Sequence, residues 1–338
     1  MSNPELTSAK AGKTALRYIK KIFELQEVYI LIPLLALIGI ASIFNAGFWD
    51  GTNISTIFRR MSMWGLIAVG ETLIILIGEI DISVGAMVAF VGVFFSVAFA
   101  IWHLPLILAI LLAVLLAVVL SAINGFCIVK LKISAFITTI AMLYICKGLA
   151  KAMTSARPVP ILSEPGAEGF LSIGQSEPLS LSWEFFLFIA VIIVFQIILR
   201  KTAYGRKIYA TGDNKNVARL AGIKVDRIKI STFLISGVFI GISGVFMIAK
   251  EAVGNANFAD GLELSVIAAT AIGGISLVGG SGTMIGTLIG VIMMQSVSNI
   301  LILLSVNQHL QSVLLGIIMV LSVIVDVQRR NKLLGKLD

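Results

Sequence analysis

Long apolar runs, separated by short charged or glycine-rich stretches, fill most of the chain. A helix needs about 20 apolar residues to cross a hydrocarbon layer of about 30 Å. Hydropathy along the sequence gives ten such runs. They are Val28–Phe44, Met61–Gly78, Val84–Trp102, Leu104–Asn124, Ser134–Ala150, Trp183–Leu199, Ile230–Ala249, Leu262–Val278, Thr283–Leu304 and His309–Val325. The pattern predicts an all-α polytopic membrane protein, a single bundle of about ten transmembrane helices. Its parts are an N-terminal segment 1–27, a membrane domain 28–326 and a tail 327–338. The basic stretch Lys10–Lys21 precedes an apolar run with no small-residue cleavage site, so the first helix is expected to be retained.

Composition agrees. The 338 residues are 58% hydrophobic and only 13% charged, with mean hydropathy +1.02, against about a quarter charged in soluble domains. A soluble enzyme, a secreted disulfide scaffold and a nucleic-acid binder are excluded. The net charge of +8 takes its meaning from position. With both termini cytoplasmic, 20 of the 26 Lys and Arg residues fall inside, in Lys10–Lys21, at Lys130 and Lys132, in Arg200–Lys229 and after Asp326. Asp50, Glu164, Glu168, Glu177, Glu184, Glu251, Asp260 and Glu263 face out. Arg59 and Arg60 fit this orientation only if Asn53–Arg60 is an interfacial segment. Cys127, Cys146, His103 and His309 lack metal-ligand spacing and read as structural.

Two hydrophilic loops stand out. The outer one, Lys151–Ser182, carries Pro158, Pro160, Pro165 and Pro178 and reads as ordered irregular structure. In the inner one, Arg200–Lys229, Val217, Leu220 and Ala221 form a short apolar stripe at i, i+3 and i+4 on a charged helix. Asn214 stands as its N-cap and Gly222 as its stop. Such a stripe calls for a partner: another protein, the bundle itself or lipid headgroups.

Three acids, Glu71, Glu79 and Asp81, fall at membrane depth and should face the bundle interior. Gly78-Glu79-Ile80-Asp81-Ile82-Ser83-Val84-Gly85 reads as a broken helix, a form that makes solute sites in transporters. Capping of the next helix by Asp81 and Ser83 is the structural alternative. A second break, Gly273–Gly282, faintly echoes the first and points to two weak internal repeats. Gly282, Gly286 and Gly290 repeat every four residues, a spacing for close helix packing. Gly12-Lys13-Thr14 mimics the end of a phosphate loop, but Thr7 stands where its first glycine belongs. No acid, base and nucleophile converge on a catalytic site. Uphill transport driven by ATP would therefore need an ATPase in another chain.

Four segments carry a family resemblance: Gly78–Gly85; Asn124-Gly125 with Ser134–Thr139; Gly205–Asn214 with Ala218–Ile223; and Glu263–Gly282. Together they resemble the membrane permease of ribose-type (carbohydrate uptake class 2) ABC importers, over about Ile30 to Arg330. The resemblance implies an ABC importer permease bundle in the bacterial inner membrane, surrounded by lipid. It implies as partners a second permease chain, identical or related, an ABC ATPase (often tandem nucleotide-binding domains) and an extracytoplasmic sugar-binding protein. This chain is expected to bind no cofactor, the partner ATPase using ATP-Mg. It places Glu79, Asp81, Ser83, Asn124, Phe136, Glu263 and Ser265 on the substrate path. It places Gly205, Arg206, Tyr209, Asp213, Asn214, Val217, Ala218, Leu220, Gly222 and Ile223 in the ATPase coupling region. Three positions depart from the family pattern: Glu79 and Asp213 stand where glycine is usual, and Ser265 where aspartate is. The rival reading is an ion-coupled secondary transporter using Glu79 and Asp81, which gives no reason for the charged inner loop.

Overall fold

The computed structural model describes residues 46–175 and 181–307 throughout, with scattered positions between 34 and 43 and between 310 and 324. The N-terminal segment 1–27, Pro178, His309 and the tail 327–338 lie outside the described residues, as do most of the expected spans Val28–Phe44 and His309–Val325.

Six described helices are long and apolar enough to cross a membrane: Val84–Ile101, Leu106–Val129, Ala135–Thr154, Trp183–Lys201, Val225–Glu251 and Met284–Leu303. We label the elements α1 (Gly51–Leu76), α2 (Val84–Ser96, prolonged by a π turn Val97–Ile101), α3 (Leu106–Val129), α4 (Ala135–Thr154) and α5 (Ala167–Gln175). Then follow α6 (Trp183–Lys201), α7 (Ala203–Asp213), α8 (Lys215–Leu220), α9 (Val225–Glu251), α10 (Leu262–Ile272) and α11 (Met284–Leu303). Burial sorts them. Within the bundle 83% of the α2 span and 72% of α9 are covered by protein, against 28% of α3 and 22% of α6. All are apolar, so position in the bundle rather than hydropathy separates core helices from exposed ones.

Two expected boundaries are corrected. Residues 53–60 are not a separate interfacial segment but the first turns of α1, which runs unbroken for 26 residues. No breaker follows Gly51, and Asn53 fixes the start of the helix by donating to Phe48 O (2.8 Å) and exchanging amide hydrogen bonds with Asn299 of α11. The expected span Leu262–Val278 is a helix of only 11 residues, roughly 16 Å at 1.5 Å per residue. It stops where Gly274 takes a left-handed φ of 77°, and residues 273–283 return as turns to α11.

Gly286 and Gly290 do bring helices together. A Cβ on Gly286 would collide with the O of Gly273, the C-cap of α10, and one on Gly290 with Ala269 O within α10. Gly282 lies ahead of Thr283, the N-cap of α11, and is outside that helical face. The outer loop is more regular than its prolines suggest. It contains α5, which buries Phe170 and Leu171, and strand β1 (Val159–Pro160), which pairs antiparallel with β2 (Val253–Gly254). Both cysteines are free thiols, and His103 lies 3.4 Å from Glu164 in this end of the molecule.

Candidate functional site

Between α1 and α2 the chain unwinds over residues 77–83, and the backbone groups released there must find partners. They find a polar knot. Glu71 Oε1, one and a half turns before the end of α1, accepts from Asp81 N (3.1 Å). Asp81 Oδ1 accepts from the backbone N of Ser83 (2.8 Å) and from its hydroxyl (2.5 Å). Asn124 of α3 donates to the Ser83 hydroxyl (3.1 Å) and reaches Asp81 Oδ2 at 3.5 Å. All four side chains are fully buried. Ser83 stands at the N-cap of α2 but makes no side-chain cap bond, and Asp81 accepts from Ser83 rather than from the first turn of α2. The alternative reading of the pair as caps of that helix is corrected to a brace between α1, the break and α3.

Glu79 has different company. It follows the end of α1 and reaches the basic end of the bundle, where Oε1 binds Lys215 Nζ (3.0 Å) at the start of α8 and Lys229 Nζ in α9. Its side chain is 12% exposed, packed between the two lysines three residues past the end of α1. The two chain breaks also meet here. Leu76 O accepts from Gly280 N (3.0 Å), and Thr72 and Thr287 hydroxyls lie 2.7 Å apart. Gly212, in the last turn of α7, is wedged between them; a Cβ there would strike Leu76 O and lie 2.5 Å from Gly280 N. Tyr209 of α7 donates to Gly282 O (2.8 Å). Burial pushes its phenol up from the ordinary value, which keeps it a donor.

The inner loop ends in a well-capped short helix. Asn214 Oδ1 accepts from Asn216 N (3.0 Å) and Val217 N (3.1 Å), as an N-cap does. Gly222 (φ 78°) closes α8 with bonds from Gly222 N to Arg219 O and Ile223 N to Ala218 O, both 3.0 Å, the Schellman pattern. Ala218 turns inward and is buried, whereas Val217 is 59% and Leu220 89% exposed. Ala221, Arg206 and Asp213 are exposed as well, and Ile223 half-buried. Gly205 is buried where α7 turns back on Leu199 O. The stripe Val217, Leu220 and Ala221 is exposed as a whole, and Ala218, outside it, seats the helix.

Of the remaining expected path residues, Glu263 and Ser265 sit in the first turns of the half-helix α10. Glu263 packs its carboxylate on Gly85, at the start of α2, where no Cβ would fit. Ser265 donates to Gly261 O (3.2 Å) and lines a cavity of about 300 Å³ with Met63, Trp64, Phe258, Asp260 and Leu264. Phe136 is 60% exposed and joins neither the knot nor the cavity. Sequence reasoning passed over Lys215, Lys229, Trp64 and Asp260. A lone acid at the basic end of a span was the signal for the two lysines; nothing comparable marked Trp64. Lys147 of α4 binds Asp260 at 2.7 Å.

The family model described as branched-chain amino acid transport system / permease component matches residues 53–323. The chain is 35% identical over 303 residues to the L-arabinose ABC transporter permease protein AraH of Azospirillum brasilense, covering 90% of this chain and 88% of that one. It is 32% identical over 312 residues to the ribose import permease protein RbsC of Escherichia coli K12, covering 92% and 96%. It is 36% identical over 312 residues to the probable ABC transporter permease protein YphD of the same organism, covering 91% and 92%. No solved structure matches.

Proposed function

We propose that this chain, which belongs to the branched-chain amino acid transport system / permease component family, is the membrane permease subunit of an ATP-driven ABC importer that carries a sugar inward. The chain is a multi-pass membrane protein and not an enzyme; hydrolysis of ATP-Mg is the work of a separate subunit. The observation that carries the reading is α8. It is a basic, capped helix with Leu220 bare at its tip, following directly on α7, which packs on the two places where membrane helices break. A side chain of that size left exposed marks an interaction site when its neighbours also face out.

In the full assembly α8 seats in a cleft of the ATPase, and two permease chains, identical or related, enclose the path. ATP binding and hydrolysis then alternate the bundle between two arrangements. A sugar-binding protein delivers solute to the end formed by α5 and the β1–β2 ribbon. The assembly sits in the bacterial inner membrane with both termini cytoplasmic, an orientation that the distribution of Lys and Arg supports. The sugar class follows the arabinose and ribose relatives. The cavity beside α10 has suitable chemistry, with the Trp64 and Phe258 rings for a sugar's C–H face and Asp260 and Ser265 for its hydroxyls.

The ion-coupled alternative is disfavoured by the relatives, which are named as ABC permeases, and by the company its two acids keep. Asp81 is fully buried in the knot, and Glu79 is committed to two ammonium groups. Reconstitution with the ATPase and binding protein tests the reading. Uptake of labelled L-arabinose or D-ribose is expected to require ATP and to survive a protonophore. Uptake that continues without ATP and stops with the protonophore would overturn it, and uptake of leucine instead would move the solute to amino acids.

A further inference from the structure

Glu79 occupies an unusual position. A single carboxylate oxygen takes both lysines: Lys215, the first residue of α8, and Lys229, in the second turn of α9. The side chains of Glu79 and Lys229 are 12% and 11% exposed, and that of Lys215 41%. The shell is thus dry on the bundle side and open on the loop side, the condition in which an ion pair is strong yet one partner stays mobile. Two residues, Glu79 and Ile80, separate Gly78, which packs under Val278 O, from the knot at Asp81. A pull on Glu79 therefore acts directly on the unwound segment between α1 and α2.

We propose that Glu79 is a positioning residue for energy coupling: it clasps α8 to the α1–α2 break, so that displacement of α8 by the motor re-aims α2 and opens or closes the solute path. The contact between Gly212 and the two breaks supplies a fulcrum. Backbone meets backbone there without side chains to give way, and α7 and α8 pivot on it. The Tyr209 bond to Gly282 O holds the second break to the same loop. Lys229 anchors the carboxylate to α9, which hardly needs to move, and Lys215 is the arm that travels. This rests on the reading of α8 as the ATPase-docking helix.

The test uses the full transporter in liposomes and reads solute moved per ATP hydrolysed. Glu79→Gln keeps the shape and removes the charge, and Lys215→Met removes only the travelling arm. Both are expected to lower the ratio at least fivefold while hydrolysis continues. Glu79→Asp should recover part of it. The exchange Glu79→Lys with Lys215→Glu, which again sets one carboxylate among two ammonium groups, should return it to within about twofold of the parent. A purely structural role would change the yield and thermal midpoint of the permease but not this ratio. A parental ratio in Lys215→Met, whose side chain is open enough to be replaced without misfolding, overturns the clasp even if Glu79→Gln fails to fold. A photo-cross-linker at position 220 separates the two readings. No adduct with the ATPase in the parent removes the docking on which the clasp depends. A normal adduct together with an unchanged ratio removes the clasp alone.

Discussion

Asn124 shows how much one side chain can hold in a place without water. It is fully buried in α3, and its amide is the bond between that helix and the Asp81–Ser83 turn. Removing it takes a donor from the Ser83 hydroxyl, which keeps its own bond to Asp81, and leaves the Asp81 carboxylate less satisfied. Asn124→Ala should therefore cost about 1–3 kcal/mol, read as a lower thermal midpoint in detergent. Asp81→Ala should cost more, about 3 kcal/mol or above, because three groups lose their partner at once. The sequence announced these residues as expensive, since acids in an apolar run must have company. It did not disclose which company. Glu79 and Asp81 are two positions apart and face opposite tasks, one in the ion pair and one in the knot, and only the point at which α1 ends decides between them.

Helix ends were the most legible elements. Asn214 and Gly222 bracket α8 as their chemistry demands, and Asn214→Ala should destabilise that helix by about 1 kcal/mol, measured as faster amide exchange over residues 215–220. Glycine spacing was legible too at Gly286 and Gly290, yet the role of Gly212 was not, because its neighbours Leu76 and Gly280 are distant in sequence. A methyl there meets backbone on both sides. Gly212→Ala is expected to reduce folded yield, whereas Gly148→Ala in α4, with open space around it, should leave yield unchanged. Hydropathy misjudged α10 because apolar residues continue to Val278 although the helix does not. A turn buried among helices keeps its apolar side chains, so composition cannot mark where the hydrogen-bond ladder stops.

At the scale of the molecule, the run pattern conveyed the helical bundle, a property of composition along the chain. What it could not convey is that the two glycine-rich breaks meet under the inner loop, a matter of tertiary packing. On the proposed reading of α8, that meeting lets the loop act as a handle on the membrane helices. Leu220→Arg should place a charge in the face that meets the ATPase and uncouple hydrolysis from uptake, with the permease still folded. The most direct measurement is photo-cross-linking from position 220 in the assembled transporter. The account predicts an adduct with the ATPase subunit whose yield changes between the ATP-bound and nucleotide-free states. An adduct with lipid or with this chain alone, in both states, would contradict it.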